Sequence, residues 1–113
     1  MVNRLDRVSS LLKQEIALII SQKINDKRIG FISITGIKIS KDLSDAWVYY
    51  SQIGSDQEKE ITKRGLYSAQ KFIKMELGKI IALKKIPNLH FRYDKAIESG
   101  SNIIHKINNI TSE

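Results

Sequence analysis

Apolar side chains near the start of the chain recur every three or four residues, the spacing of one face of an α-helix. They are Leu5, Val8, Leu12, Ile16 and Ile19. This stripe predicts a first helix from about Arg4 to Ile24. Asp6 would lie in its first turn, where a negative charge is favourable beside the positive end of the helix dipole.

After residues 25–30 the period changes from that of a helix to that of a β-strand. Ile32 and Ile34 alternate with polar residues, and Ile37 and Ile39 do so again with the opposite parity. A β-bulge at Gly36 would explain the change of parity. Residues 40–45 are turn-formers and residues 46–50 form a second β-rich run, so we predict an antiparallel hairpin.

A long helical segment follows, capped by Ser55 or Asp56. Its predicted buried face carries Leu66, Ala69, Ile73, Leu77 and Ile80. The opposite face gathers Arg64, Tyr67, Lys71 and Lys74, with Lys63 beside them. The core stripe and a basic stripe therefore belong to the same helix.

Pro87 ends the helical region, and residues 89–93 alternate as a third strand. Residues 97–110 show a weaker helical pattern. With 113 residues the chain is long enough for one domain, so we predict a single domain over 1–113. We expect an ordered core at about 3–96 and a tail or short helix at about 97–113, within an α+β fold.

Composition narrows the class of protein. The chain has no cysteine, which excludes disulfides, thiolate metal sites and cysteine nucleophiles. Its longest apolar run, Ile16 to Ile20, is far too short for a membrane-spanning helix. No secretory signal pattern is present at the start, so we expect an unprocessed cytoplasmic protein.

The formal net charge is +7, and nine basic residues face two acidic ones within residues 61–95. A local excess of this size favours a polyanionic ligand over a merely solvated face. The candidate phosphate-binding residues are Lys63, Arg64, Lys71, Lys74, Lys79, Lys84, Lys85 and Arg92. Tyr67 is a candidate for stacking on a base, and Arg4 and Arg7 could add contacts from the first helix.

Residues for catalysis or metal binding are few. His90 and His105 have no histidine or cysteine partner at ligand spacing, Asp42 and Asp45 suit a turn, and no phosphate-binding glycine loop is present. We therefore predict no enzymatic activity, no cofactor, no metal and no small-molecule substrate. Trp47 and Tyr49 share one face of the second strand; packing beneath the helices is favoured over exposed stacking, which stays open.

From about residue 3 to residue 108 the sequence resembles the ribosome-binding factor A family of bacteria. The resemblance is carried by Arg4-Leu-Asp-Arg-Val8, by residues 37–49, and most specifically by residues 87–94 followed by Ile97-Glu-Ser-Gly-Ser-Asn-Ile-Ile104. Each segment is weak alone, but their order and spacing cover nearly the whole chain.

The resemblance implies a type II K-homology fold, ordered α-β-β-α-kink-α-β, with a three-stranded sheet packed on helices. It also implies a monomer that binds immature 30S subunits and assists late maturation and processing of 16S rRNA, supporting growth in the cold. The GxxG loop by which ordinary K-homology domains grip nucleotides is absent. The family's Ala-x-Gly kink aligns with Ala69-Gln70-Lys71, where lysine replaces the glycine, and we expect a bend there.

Two other functions stay open. A general nucleic-acid-binding protein would have the same basic face without a preference for the small subunit. A peripheral membrane protein would use the apolar and basic residues of the first helix. Contacts with ribosomal proteins, as well as with 16S rRNA, also stay open.

Overall fold

The computed structural model describes residues 4–95, so the predicted tail at 97–113 lies outside the described residues. The elements follow the predicted order: helix α1 (Arg4–Gln22), strands β1 (Ile32–Ile39) and β2 (Asp45–Gln52), helix α2 (Asp56–Ile80) and strand β3 (Asn88–Tyr93). The strands lie in the order β1-β2-β3, with β1 and β2 antiparallel and β2 and β3 parallel. The predicted α+β class is confirmed.

The hairpin contains the bulge that the change of parity predicted. Ile34 pairs with Tyr50 and Gly36 pairs with Tyr49, which leaves Thr35 as the extra residue. The bulge brings Ile32, Ile34, Ile37 and Ile39 to one face of the sheet. That face therefore stays apolar along the whole of β1.

Both helices pack on this one face of the sheet. The core is formed by Val8, Leu12, Ile16 and Ile19 of α1, Leu66, Ile73 and Leu77 of α2, and Ala46, Val48 and Tyr50 of β2, with Ile81, Leu89 and Phe91 completing it. The predicted stripes are thus confirmed except at the start of α1, where Leu5 is half-buried outside this core, and at the end of α2. Ile80 is 46% exposed, and Ile81, four residues after Leu77, takes the buried position at this end of the helix.

The predicted bend at Ala69-Gln70-Lys71 is wrong, since α2 is one uninterrupted helix from Asp56 to Ile80. Lys71 supplies the reason, because lysine favours helix by nearly 1 kcal/mol relative to glycine. Leu66, Ile73 and Leu77 also keep one buried phase across this point, so no change of direction is needed to fill the core.

The segment between α1 and β1 crosses α2 at Gly65. A Cβ atom at Gly65 would lie 2.8 Å from Ile29 Cγ1 and 3.1 Å from Arg28 Cβ. Thr62, one turn earlier, accepts a hydrogen bond from the Gly30 amide and donates one to the Arg28 carbonyl oxygen, each at 3.3 Å. This close contact fixes α2 against the start of the sheet.

Candidate nucleic-acid interface

Helix α2 begins at a complete capping box. Ser55 Oγ accepts a hydrogen bond from the Glu58 amide, and the Glu58 carboxylate accepts one from the Ser55 amide. This double cap sets where the helix starts. It therefore also sets which residues face the core and which face solvent over the next six to seven turns.

The outward side of α2 carries the predicted basic stripe. Lys63, Arg64 and Lys71 are exposed, Lys74 is half-buried, and Tyr67 is 73% exposed. Helical rise places Arg64 and Lys74 about 15 Å apart along the axis. The stripe is long enough to contact several consecutive phosphates of an RNA strand.

Strand β3 runs beside this stripe in the opposite direction, with its outer edge unpaired within residues 4–95. Lys74 Nζ donates to Asn88 Oδ1 at 2.8 Å, where β3 begins. Near its other end, Arg92 and Phe91 line a groove of about 320 Å³ with Lys63, Arg64 and Tyr67 of α2. We use the name α2–β3 basic groove for the following set of residues: Lys63, Arg64, Tyr67, Lys71, Lys74 and Arg92.

The groove has an acidic neighbour in Glu60, whose Oε2 lies 3.6 Å from Arg64 Nε. Both side chains are more than half exposed, so this ion pair is weak and easily exchanged for a phosphate. Arg92 Nη1 donates to the Phe91 carbonyl oxygen at 3.0 Å, which holds its guanidinium at the strand edge. The groove thus presents paired and exposed cations around an exposed tyrosine.

The remaining predicted residues do not join this groove. Lys79 Nζ lies 3.0 Å from Glu76 Oε2, and Nζ of Lys23, the residue after α1, lies 2.8 Å from Glu76 Oε1. Hydrogen bonds from Lys23 and then Lys79 lower the pKa of the nearly buried Glu76 carboxyl. Lys79 is therefore paired within α2, whereas Lys23 links Glu76 to the end of α1.

Lys85 Nζ donates to Ser44 Oγ at 2.9 Å, beside the hairpin turn, and Lys84 is exposed in the segment before Pro87. Arg4 and Arg7 are exposed on the first turns of α1. These four cations lie on other segments of the surface, so they are separate from the α2–β3 basic groove.

Two further cations, which were not among the candidate residues, lie near the start of α2. Lys59 and Lys95 line a second groove of about 330 Å³ with Lys63 and Tyr93. Lys59 Nζ lies 4.9 Å from the centroid of the Tyr93 ring, a cation–π contact. Lys59 was not selected as a candidate because it precedes residue 61 and has acidic neighbours in the sequence. Its spacing of four residues from Lys63 nevertheless places both on one side of a helix.

The placement of Trp47 and Tyr49 differs from the prediction. Ala46, Val48 and Tyr50 are buried, whereas Trp47 and Tyr49 are half-buried on the other face. The favoured interpretation, packing beneath the helices, is therefore wrong. Trp47 instead stacks on His90 with 5.5 Å between ring centroids, and His90 Nε2 lies 2.8 Å from Asp45 Oδ1.

The turn assignment of Asp42 is confirmed. Its carboxylate accepts hydrogen bonds from the Ser44 hydroxyl and amide and from the Ser40 hydroxyl. These bonds lower the pKa of Asp42 to about 2. Within residues 4–95 no three histidine or acidic side chains cluster as metal ligands do, and neither helix is long and apolar enough to cross a membrane.

Comparison with known proteins gives a consistent result over the whole chain. The family model described as "Ribosome-binding factor A" matches residues 4–107. A ribosome-binding factor A of Geobacter sulfurreducens is 40% identical over 113 residues, spanning 100% of this chain and 96% of that protein.

Solved structures agree on the fold. The crystal structure of ribosome-binding factor A from Thermus thermophilus is 24% identical, with a TM-score of 0.71 over 80% of this chain and 94% of that one. Thermus thermophilus coordinates fitted into a cryo-EM map of a 30S complex with this factor are also 24% identical, with a TM-score of 0.63 over 77% and 91%. The likeness establishes a K-homology-like fold.

Proposed function

The chain belongs to the ribosome-binding factor A family, and from that premise we propose that it binds the 30S ribosomal subunit through 16S rRNA. The α2–β3 basic groove is the surface that holds the RNA. The observation that carries the proposal is the placement of Lys63, Arg64 and Lys74 along the outer edge of β3, with Arg92 contributed by the strand itself.

This arrangement suits a folded RNA better than a sequence motif. Lysine and arginine side chains neutralise phosphates irrespective of base, which supplies affinity. Specificity then comes from how well the shape of the groove fits the RNA backbone. In support, the Thermus thermophilus relative has been fitted into a map of its complex with the 30S subunit.

The finer role follows from binding alone. A protein that prefers one conformation of a precursor RNA shifts the population toward it by the difference in binding free energy. We propose that this chain acts as a non-enzymatic, monomeric assembly factor in the cytoplasm, where it assists late maturation and processing of 16S rRNA. Because misfolded RNA rearranges slowly at low temperature, such help would matter most for growth in the cold.

Co-sedimentation tests the proposal against a general nucleic-acid-binding protein. Purified chain is mixed with purified small subunits and an excess of duplex DNA, then spun through sucrose at moderate salt. We expect the chain to migrate with the small subunits despite the DNA. A variant with Lys63→Gln, Arg64→Gln and Lys71→Gln should stay at the top, while Lys13→Gln, on the exposed side of α1, should migrate as the parent does.

Three results would overturn the proposal. Equal partition of the parent chain between DNA and subunits would favour the general binder. Unchanged migration of the triple variant would place the binding surface elsewhere. Binding to anionic vesicles in place of subunits would favour the membrane alternative.

A further inference from the structure

The sheet face opposite the helices carries a set of side chains that the proposed function leaves unused. Strand register places Lys38, Trp47 and His90 in one row across the three strands. The neighbouring row is Gly36, Tyr49 and Arg92. We call these two rows the open sheet face.

This face has room at its centre. A Cβ atom added at Gly36 would have no heavy atom of the described residues within 4 Å. The space beside Tyr49 is therefore open. Both helices lie on the other side of the sheet. Trp47 stacks on its cross-strand neighbour His90, so its ring faces across the strands. In the next row the cross-strand neighbour of Tyr49 is Gly36, which has no side chain and leaves a slot beside the Tyr49 ring.

Two cations flank the aromatic side chains of this face, whereas its two carboxylates lie at the ends, so the positive charge is local to the centre. Lys38 on β1 and Arg92 on β3 stand on either side of the aromatic pair. The carboxylates at its two ends are both held within the face: Asp45 lies 2.8 Å from His90 Nε2, and Asp94 accepts a hydrogen bond from the Thr35 hydroxyl. Aromatic rings between cations are the arrangement that holds unpaired bases and their phosphates.

Arg92 also belongs to the α2–β3 basic groove, so the two surfaces meet at the outer edge of β3. We propose that an unpaired base of the bound RNA lies in the slot over Gly36 and stacks on the Tyr49 ring, with adjoining phosphates at Lys38 and Arg92. This inference rests on the proposed function, because the same RNA strand would pass from the groove around β3 onto the sheet.

The chain contains a single tryptophan, so Trp47 fluorescence reports on this face alone. We would titrate the full chain with a short single-stranded oligoadenylate and, separately, with inorganic polyphosphate of matched charge. Quenching by oligoadenylate but not by polyphosphate is expected, because only the former carries bases.

Three variants give the assignment its specificity. Gly36→Thr fills the slot without a clash and Tyr49→Val removes the ring, while both place a β-branched residue that suits a strand. Each should weaken oligoadenylate binding about tenfold, the size of the loss of one base stack. Lys38→Gln should weaken it several-fold, whereas Lys13→Gln on α1 should not. Thermal melting of each variant checks that it is folded.

The outcomes separate this inference from the proposed function. If the parent chain co-sediments with small subunits but Trp47 is not quenched, or if Gly36→Thr binds oligoadenylate as the parent does, the stacking site is wrong and the function stands. Quenching by polyphosphate to the same extent would also overturn it. Emission that changes with protein concentration alone would assign the face to a second copy of the chain. Failure of the parent chain to co-sediment would overturn the function itself.

Discussion

Lys74 Nζ donates a hydrogen bond to Asn88 Oδ1 at 2.8 Å, which ties the basic stripe of α2 to the first residue of β3. Fourteen residues separate this pair in the chain, including the whole turn through Pro87. This hydrogen bond joins the start of β3 to the basic stripe of α2. The stripe and the strand therefore form the two sides of the groove.

Removal of cations from the groove should weaken RNA binding without unfolding the protein. Arg64→Gln and Lys71→Gln each remove one phosphate contact from an exposed side chain. We expect each to reduce affinity for small subunits several-fold and to do so for every RNA sequence, since phosphates carry no sequence. Filter binding measures the effect. Lys13→Gln serves as the control, and a loss of equal size in that variant would show that net charge alone is responsible.

Salt dependence should report how many phosphates the groove contacts. Five cations belong to it: Lys63, Arg64 and Arg92 line the groove, and Lys71 and Lys74 continue the stripe along α2. For single-stranded RNA this number corresponds to a slope of about −3.5 in a plot of log affinity against log salt, or about a hundredfold loss from 50 to 200 mM. Affinity that does not change over this range would contradict phosphate binding.

Two glycines of α2 should respond to alanine in opposite directions. A methyl group at Gly65 would overlap Ile29 Cγ1 at 2.8 Å, so Gly65→Ala should destabilise the fold by about 2 kcal/mol. At Gly78 the nearest heavy atom is Ile86 Cγ1 at 3.8 Å, an ordinary contact. Gly78→Ala should therefore stabilise by about 0.5–1 kcal/mol through helix propensity. Urea unfolding of the pair measures both, and a destabilised Gly78→Ala would contradict the packing described at that helix end.

Acid should destabilise the hairpin turn through Asp42. Its pKa is about 2 in the folded protein and near 3.8 when unfolded. A lowered pKa means that the stabilisation is complete at a pH above the unfolded value and is lost as the pH falls toward the folded one. Asp42→Asn should therefore lose stability at neutral pH and show a smaller further loss between about pH 4 and pH 2. Chemical unfolding of the parent and the variant across that pH range measures the loss of stability. Parallel pH profiles for the two proteins would show that the turn is not the source of the acid sensitivity.

Much of the site was predictable from helical periodicity. Lys63, Arg64, Tyr67, Lys71 and Lys74 share a side of α2 because 3.6 residues complete a turn, whatever packs against the helix. Lys79 pairs with Glu76 three residues earlier on α2, a spacing that helical periodicity already brings together. The second partner of Glu76, Lys23, was not predictable, because it depends on where the end of α1 approaches α2. The face of Trp47 was also assigned wrongly, because one strand's alternation identifies two faces but not the one that the helices cover.

The amino-acid sequence by itself determined the number and order of elements, the bulge at Gly36, the core stripes and the basic stripe. All of these are local, since periodicity, turn chemistry and charge spacing act within a few residues. Only the tertiary structure decided which cations work together. Arg92 joins Arg64 because β3 pairs in parallel with β2 beneath α2, and Lys23 joins Glu76 because the end of α1 approaches α2. Such contacts join residues distant along the chain, and their geometry follows from packing on one shared core.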